Sequence, residues 1–596
     1  MGHKKKKRGR QPERREEQKA RPPNQLASMA DFWPSLKEAA PAKPSHDDVR
    51  LKQSPPVKSA NAHTRQQTQS PPAPAQRSNP PTSARPSARP LASPPVSVSK
   101  TTVERRRESE SVSSKPTSAI SPQSAQRRAQ YREIITRRGI APQHPIDVYL
   151  GIDLGTSFSK VVWRLKDSAY PVCFGTRRGN LNDYLVPSVV KFDGESFVTG
   201  VELLEDSGID QRILNFKMCL ACVCSNTDST CKPSTCALSD WRVALSKLSK
   251  ERAAVEIVNA LFLGKLISRA RRIILEKLKR QNVAGQVRWA VNLAVPEKFM
   301  DQSPVLGGFE RVLRIAWLMA DVFDERDNLS SLDEVLDCYE CAKALESDGR
   351  ALDCFVYPEV GAEVASVTLS RSARDGFYVF VDIGAGTVDA SVFNLLRHGR
   401  DHKHNTYAAE VYRSGAAHVE VKAGQKLAQA SIDWLKKLKE NNLNPDVAST
   451  SGADLLQPFV KRALDEIGEQ VEKELIGLFK EAYDKYIGEC NWEEIQLVLG
   501  GGGATLSAYQ TAATKAFSLK NRPGVGSNII RENLTVPTDF ATDGLARNVF
   551  HRFAVAYGLS FPFVELPELI LASEVKALSP EHGTRRRVIV DPTDDG

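Results

Sequence analysis

Residues 377–393 read FYVFVDIGAGTVDASVF. A strand-like apolar run breaks at Asp382, passes through Gly384 and Gly386, and resumes as a second strand. The pattern predicts a β-hairpin whose turn carries almost no side chains and is flanked by two carboxylates, Asp382 and Asp389. Residues 148–165, VYLGIDLGTSFSKVVWRL, repeat the device. Asp153 and Gly155 stand 229 positions before Asp382 and Gly384.

Glycine turns let backbone N–H groups approach phosphate oxygens with no Cβ in the way. A carboxylate beside such a turn cannot bind phosphate directly, because like charges repel. It can do so through a divalent cation, and Mg²⁺ keeps most of its waters while taking one or two carboxylates plus phosphate oxygens. An Asp beside each turn therefore suits a magnesium–nucleotide clamp with one turn from each half of the chain. Thr156, Ser157 and Thr387 add hydroxyls for phosphate or for metal-bound water. One such turn is common in ordinary hairpins, and two copies in one chain make the clamp the sharper reading.

The rest of residues 146–572 alternates strand-like and helical patterns. RAAVEIVNALFLGKLISRARRIILEKLKRQ and FVKRALDEIGEQVEKELIGLFKEAYDKYI have helical apolar periods, and RWAVNLAVP reads as a buried strand. EIQLVLGGGGATLS reads as strand, glycine turn and helix start. The alternation predicts an α/β fold.

These segments resemble, in chain order, the actin-like ATPase superfamily. The likeness is greatest to the ATPase domain of the seventy-kilodalton heat-shock chaperones. GIDLGTSFS resembles their first phosphate motif and VDIGAGTVDASVF their second. WAVNLAVPEKF, YPEVGAEVAS, LVLGGGGATLS and FAVAYGLS resemble the intervening strand, the connecting segment, the adenosine motif and the helix after it. The resemblance spans roughly residues 148–562. It implies two ribonuclease-H-like lobes around a nucleotide cleft, with lobe I over 146–376 and lobe II over 377–572. It also implies ATP or ADP with Mg²⁺ as ligands. Asp153 and Asp382 would hold the hydrated magnesium, Glu359 would order water, and Lys217 would act on the γ-phosphate or the attacking water. Thr387 and Asp389 would orient water and loop. Gly155, Gly384 and Gly386 would serve the phosphates, and Gly501, Gly502 and Gly503 the adenosine. The chain departs from the family in three places. Ala504 and Thr505 replace a polar residue and an arginine that pack on the base, and Arg552 stands where an aspartate is usual. Nor does any segment match the chaperones' peptide-binding domain, and the residues after Ala572 are too few to supply one.

Charge divides the chain. Residues 1–140 hold 29 Lys+Arg against 11 Asp+Glu, and residues 141–596 hold 53 against 61. Residues 1–140 are rich in Pro, Ser and basic residues and are expected to be a disordered arm with a short basic helix, QSAQRRAQYREIITRRG, near its end. MGHKKKKRGR is either a nucleic-acid contact, a nuclear-import signal or a solvated basic end. LASMADFWPSLKEAA places Leu26, Met29, Phe32, Trp33 and Leu36 at roughly helical spacing and reads as a docking segment for a protein partner. No apolar run is long enough to span a membrane and no secretory signal opens the chain, so an intracellular protein is expected, cytoplasmic or nuclear. Residues 573–596 read as a tail.

Five of the ten cysteines fall in 219–236. Cys219, Cys222, Cys231 and Cys236 could supply four thiolates to Zn²⁺ in an insertion over 218–236. Redox sensing and an incidental cysteine-rich loop are the alternatives, since the spacing is not diagnostic. For the whole protein the leading expectation is a nucleotide-driven ATPase switch acting on a partner. A filament-forming ATPase, a small-molecule kinase and a nucleotide-binding scaffold without hydrolysis are the alternatives.

Overall fold

Both glycine-turn hairpins form, and each seeds a sheet. The computed structural model describes residues 120–139, 145–202, 212–225, 251–349, 351–368, 375–398, 401–419, 457–486, 492–517, 525–532 and 534–575. The basic start, the Leu26–Leu36 segment, Cys231, Cys236 and the tail beyond 575 lie outside the described residues.

A helix, α1 (Pro122–Arg138), precedes the first sheet. The sheet begins as an antiparallel meander of β1 (Ile146–Asp153), β2 (Phe158–Leu165) and β3 (Ser168–Pro171). β4 (Val186–Pro187) pairs with β2, while β5 (Val190–Phe192), β6 (Phe197–Thr199) and β7 (Arg212–Ile213) make a small sheet of their own. Helices α2 (Phe216–Cys224) and α3 (Glu251–Arg280) lead to β8 (Val287–Val295), which runs parallel to β1. Helices α4 (Ser303–Glu325) and α5 (Leu332–Ser347) lead to β9 (Cys354–Pro358), parallel to β8. The order is β3-β2-β1-β8-β9.

Helix α6 (Glu359–Thr368) crosses to the second sheet. There β10 (Gly376–Ile383), β11 (Val388–His398) and β12 (Asp401–Tyr412) form another antiparallel meander. After α7 (Gln457–Tyr486), β13 (Glu494–Gly500) joins β10 in parallel. After α8 (Ser507–Ala516), β14 (Asn528–Glu532) joins β13 in parallel. The short α9 (Ala554–Gly558) then precedes β15 (Glu568–Ile570), which pairs with β12. The order β12-β11-β10-β13-β14 repeats that of the first sheet. The 229-residue spacing of the motifs thus reflects a repeated topology, and the fold is α/β with mixed sheets.

Each sheet has its own apolar core. Trp163, Phe262, Phe309 and Leu318 belong to the first, and Phe377, Phe479 and Trp492 to the second, where the Phe377 and Trp492 rings lie 4.4 Å apart. Between the cores, α9 packs on α6 and on β1 at backbone distance. A Cβ on Gly558 would strike the Ala362 carbonyl, and one on Gly151 would strike the Ala556 carbonyl. Thr406 of β12 donates a hydrogen bond to Glu297, a buried carboxyl just after β8, which burial raises to about 7.

The expected basic helix is present but belongs to the body, whose first element therefore begins at Pro122 rather than near Ile146. Ser121 caps α1 by accepting from the Ser124 N–H. Its apolar face, Tyr131, Ile134 and Ile135, is buried in the first core. On the flank, Arg127 and Arg128 donate to Asp337 at 2.7 and 2.8 Å, and Ser124 also donates to it. Arg137 and Arg138 reach Glu325 and Asp324. Burial tends to raise the Asp337 carboxyl, but the Ser124 and arginine bonds outweigh it and hold it below its usual range. Its contribution is therefore present above about pH 4 and fades on acidification. Asp337→Ala is expected to cost about 2–3 kcal/mol, since it strands two partly covered arginines. Amide exchange across 122–138 should accelerate more than elsewhere, and unchanged protection of that segment would show that apolar packing alone seats the helix.

Candidate functional site

The site is built by hairpin register. In β1/β2, Asp153 lies directly across from Lys160; in β10/β11, Asp382 lies directly across from Asp389. Each pair is seven residues apart and spans a glycine turn. The first pair is an ion pair. The second sets two carboxylates opposite one another, an arrangement that weakens a sheet. The two turns meet in the middle: a Cβ on Gly386 would lie 2.7 Å from the Thr156 side chain.

A third turn follows β13. Gly501 adopts φ +77°, which favours glycine, and a Cβ there would strike Asp382. Gly503 N–H donates to the Ile383 carbonyl at 2.8 Å, so this turn is tied to the end of β10. The backbone of 415–417 braces the second turn from behind, through Ala416 N–H to Gly384 O at 2.9 Å and Ala417 N–H to Ala385 O at 2.7 Å.

The three turns line one cleft of about 710 Å³, open solvent at its mouth included. Asp153, Gly155, Thr156, Ser157, Lys217 and Glu359 line it, as do Asp382, Gly384, Thr387, Asp389, Gly501 and Gly502. Two expected residues do not. Gly386 is spent on the contact with Thr156, and Gly503 packs on Ile383 and Ala416.

Lys217 comes from the first turn of α2, which follows Asn215 at φ +54° and is pinned where Asn259 donates to the Phe216 carbonyl at 2.9 Å. Glu359 is the first residue of α6. The two form a buried ion pair. Burial pulls Lys217 down, but the Glu359 and Asp389 carboxylates outweigh it and leave the ammonium above the ordinary lysine value. Thr387 donates to Asp389 at 2.9 Å. Burial, then the Glu359 and Asp153 charges, push Asp382 up to about 7, and burial and Glu359 raise Asp389 as well.

Four contributors lay outside the expected set. Lys160 lines the cleft beside Asp153. Glu363, one helical turn beyond Glu359, is fully buried behind Gly500, and burial together with the Asp382 charge raises its carboxyl well above normal. His551 and Arg552 line it as well. Glu363 follows from i,i+4 spacing on a helix face, and Lys160 from the step that places Asp389 across from Asp382.

A divalent cation fits this donor set. Asp382 Oδ1 and Asp389 Oδ1 are buried without a hydrogen-bond partner. Among the described residues no three His, Cys, Asp or Glu side chains are grouped as direct ligands. A cation here would take one or two carboxylates and keep its water, as Mg²⁺ does. Of the four thiols expected for zinc, Cys231 and Cys236 lie outside the described residues. Cys219 and Cys222 share one turn of α2, and Cys219 is packed in the first apolar core.

No protein-family model matches the chain, and no curated protein matches it. Among the described residues no helix is long and apolar enough to cross a membrane.

Proposed function

We propose that the chain is a Mg²⁺-dependent ATP-binding and ATP-hydrolysing protein with an actin-like ATPase fold, two ribonuclease-H-like lobes closing on one nucleotide. The observation that carries this reading is the register: two equivalent hairpins turn toward each other, and each presents a cleft-facing aspartate one step from a glycine turn. The repeated sheet order supports the duplicated-lobe fold, and the sequence resemblance to the seventy-kilodalton heat-shock ATPase domains agrees with it. Bound Mg²⁺ would neutralise phosphate charge at Asp153 and Asp382. Lys217, held as a cation by its carboxylate neighbours, would stabilise charge on the terminal phosphate, and Glu359 would hold the attacking water. Phosphoryl transfer needs mainly such positioning and charge neutralisation.

Opening and closing of the lobes would then pass the nucleotide state to a protein partner bound at the lobe surface or the N-terminal arm. The purified full chain is expected to release phosphate from ATP slowly, with Mg²⁺ and without any added acceptor substrate. EDTA should stop the release. ADP formation that needs a small-molecule acceptor, with the phosphoryl group ending on that acceptor and no phosphate freed, would favour a kinase, and binding without turnover would favour a scaffold.

A further inference from the structure

Arg552 reaches the cleft from a firmly seated element. It ends a 3-10 turn, Arg547–Arg552, that runs into α9 through the fully buried Phe553. Phe550 and Phe553 pack around Phe540, and α9 is locked on α6 and β1 by the contacts at Gly558 and Gly151. Its guanidinium lies over Gly502. A Cβ built on Gly502 would find Arg552 Cζ, Nη2 and Nε as its nearest neighbours, at 3.9–4.0 Å. The adjacent His551 adds no charge: burial and Arg552 lower it to about 4, and its Nδ1 lies 2.8 Å from the Asn548 carbonyl.

The cations of the cleft thus occupy two stations. Lys217 and Lys160 pair with Glu359 and Asp153 at the hairpin turns. Arg552 faces glycine backbone at the third turn. The charges acting on Lys217 come from Glu359, Asp389 and Asp153, and those acting on His551 come first from Arg552 and then from Lys160, so Lys217 is the cation set apart from Arg552.

We propose that Arg552 and the bare backbone at Gly501–Gly502 form a phosphate clamp for the part of the nucleotide shared by di- and triphosphates, at the station away from Lys217. This rests on the reading of the cleft as a nucleotide site. A guanidinium can give two parallel N–H bonds to a phosphate, and the missing Cβ lets the same group approach the main chain. The clamp holds the diphosphate product as firmly as the substrate, so it sets affinity for both and leaves the transferred phosphate to Lys217.

The test is calorimetric titration of the full chain with ADP, ATP and adenosine in Mg²⁺. Arg552→Ala should weaken ADP and ATP by a common factor of about 10- to 100-fold and leave adenosine unchanged. Arg552→Lys should retain part of the affinity, since the charge stays and the planar fork is lost. Gly502→Ala should fold normally, because its methyl meets nothing closer than 3.9 Å, yet lose ADP as Arg552→Ala does. If Arg552→Ala is poorly folded, the lysine and glycine variants decide. ADP bound equally well by wild type and these variants would overturn the clamp while leaving the nucleotide site standing. Equal loss of adenosine and ADP would also overturn it. A wild-type chain that binds no Mg·ADP would instead remove the nucleotide reading, and the clamp with it.

Discussion

Lys217→Met is expected to lower Mg²⁺-dependent phosphate release about 10²–10³-fold at saturating ATP, the size of loss seen when a preorganised charge is removed from a reacting group. Methionine keeps the apolar stem that α2 buries and removes only the ammonium. The variant leaves Glu359 buried among Asp153, Asp382 and Asp389 with its partner gone. Breaking a buried pair from one side costs about 3–5 kcal/mol where the survivor stays charged. Glu359 can escape that cost by taking a proton. Its folded-state value then rises further above the unfolded one, so the stability it allows is present in acid and is lost as pH rises. Urea midpoints should accordingly fall little at about pH 5 and much more at about pH 8. Adding Glu359→Gln should restore the midpoint at the higher pH without restoring turnover. Full phosphate release by Lys217→Met would show that the ammonium serves the fold and not the reaction.

The contrast between what could and could not be read in advance follows from contact range. Asp153, Gly155, Asp382 and Gly384 were legible because a carboxylate and glycines interrupt an apolar strand, a local signal. The long helices were legible from period alone, and their observed bounds, Glu251–Arg280 and Gln457–Tyr486, lie within two residues of the patterns. Lys160 needed one further step, the hairpin register, which a residue count across the turn supplies. Helix α1 reads as part of the arm because its composition is basic. The three residues that seat it, Tyr131, Ile134 and Ile135, sit at i, i+3 and i+4 and are outnumbered by charge. The brace at 415–417 and the placement of Arg552 have no local signature. Each depends on a segment far along the chain returning to a turn, and only tertiary structure brings them there. The cysteine cluster is only partly covered, since Cys231 and Cys236 lie outside the described residues. Dense spacing suggests a ligand set, and of its members Cys219 packs as a small side chain in the first apolar core.

Asp382→Asn should make the ligand-free protein more stable at pH 8 while abolishing its response to Mg·ADP. In the folded chain Asp382 faces Asp389 across the strands, and burial with the Glu359 and Asp153 charges pushes it up to about 7, well above an unfolded aspartate near 4. A carboxyl raised in this way favours folding when protonated. Its contribution is complete below about pH 4 and is lost as pH climbs through about 7. The shift sets a ceiling of about 4 kcal/mol on the penalty at alkaline pH, and relaxation of the site brings the expected gain from asparagine to about 2 kcal/mol. Asparagine has the same shape and carries no charge, so the pH slope between these values should flatten. Mg·ADP should raise the urea midpoint of the wild type and leave the variant unmoved, because binding stabilises only the state that can bind. An asparagine variant less stable than wild type at pH 8 would mean that the carboxylate is a structural acceptor. The expected outcome instead explains why a residue that weakens its own sheet is there: the buried negative charge is unfavourable in the empty cleft and becomes favourable once a cation and a phosphate chain share it.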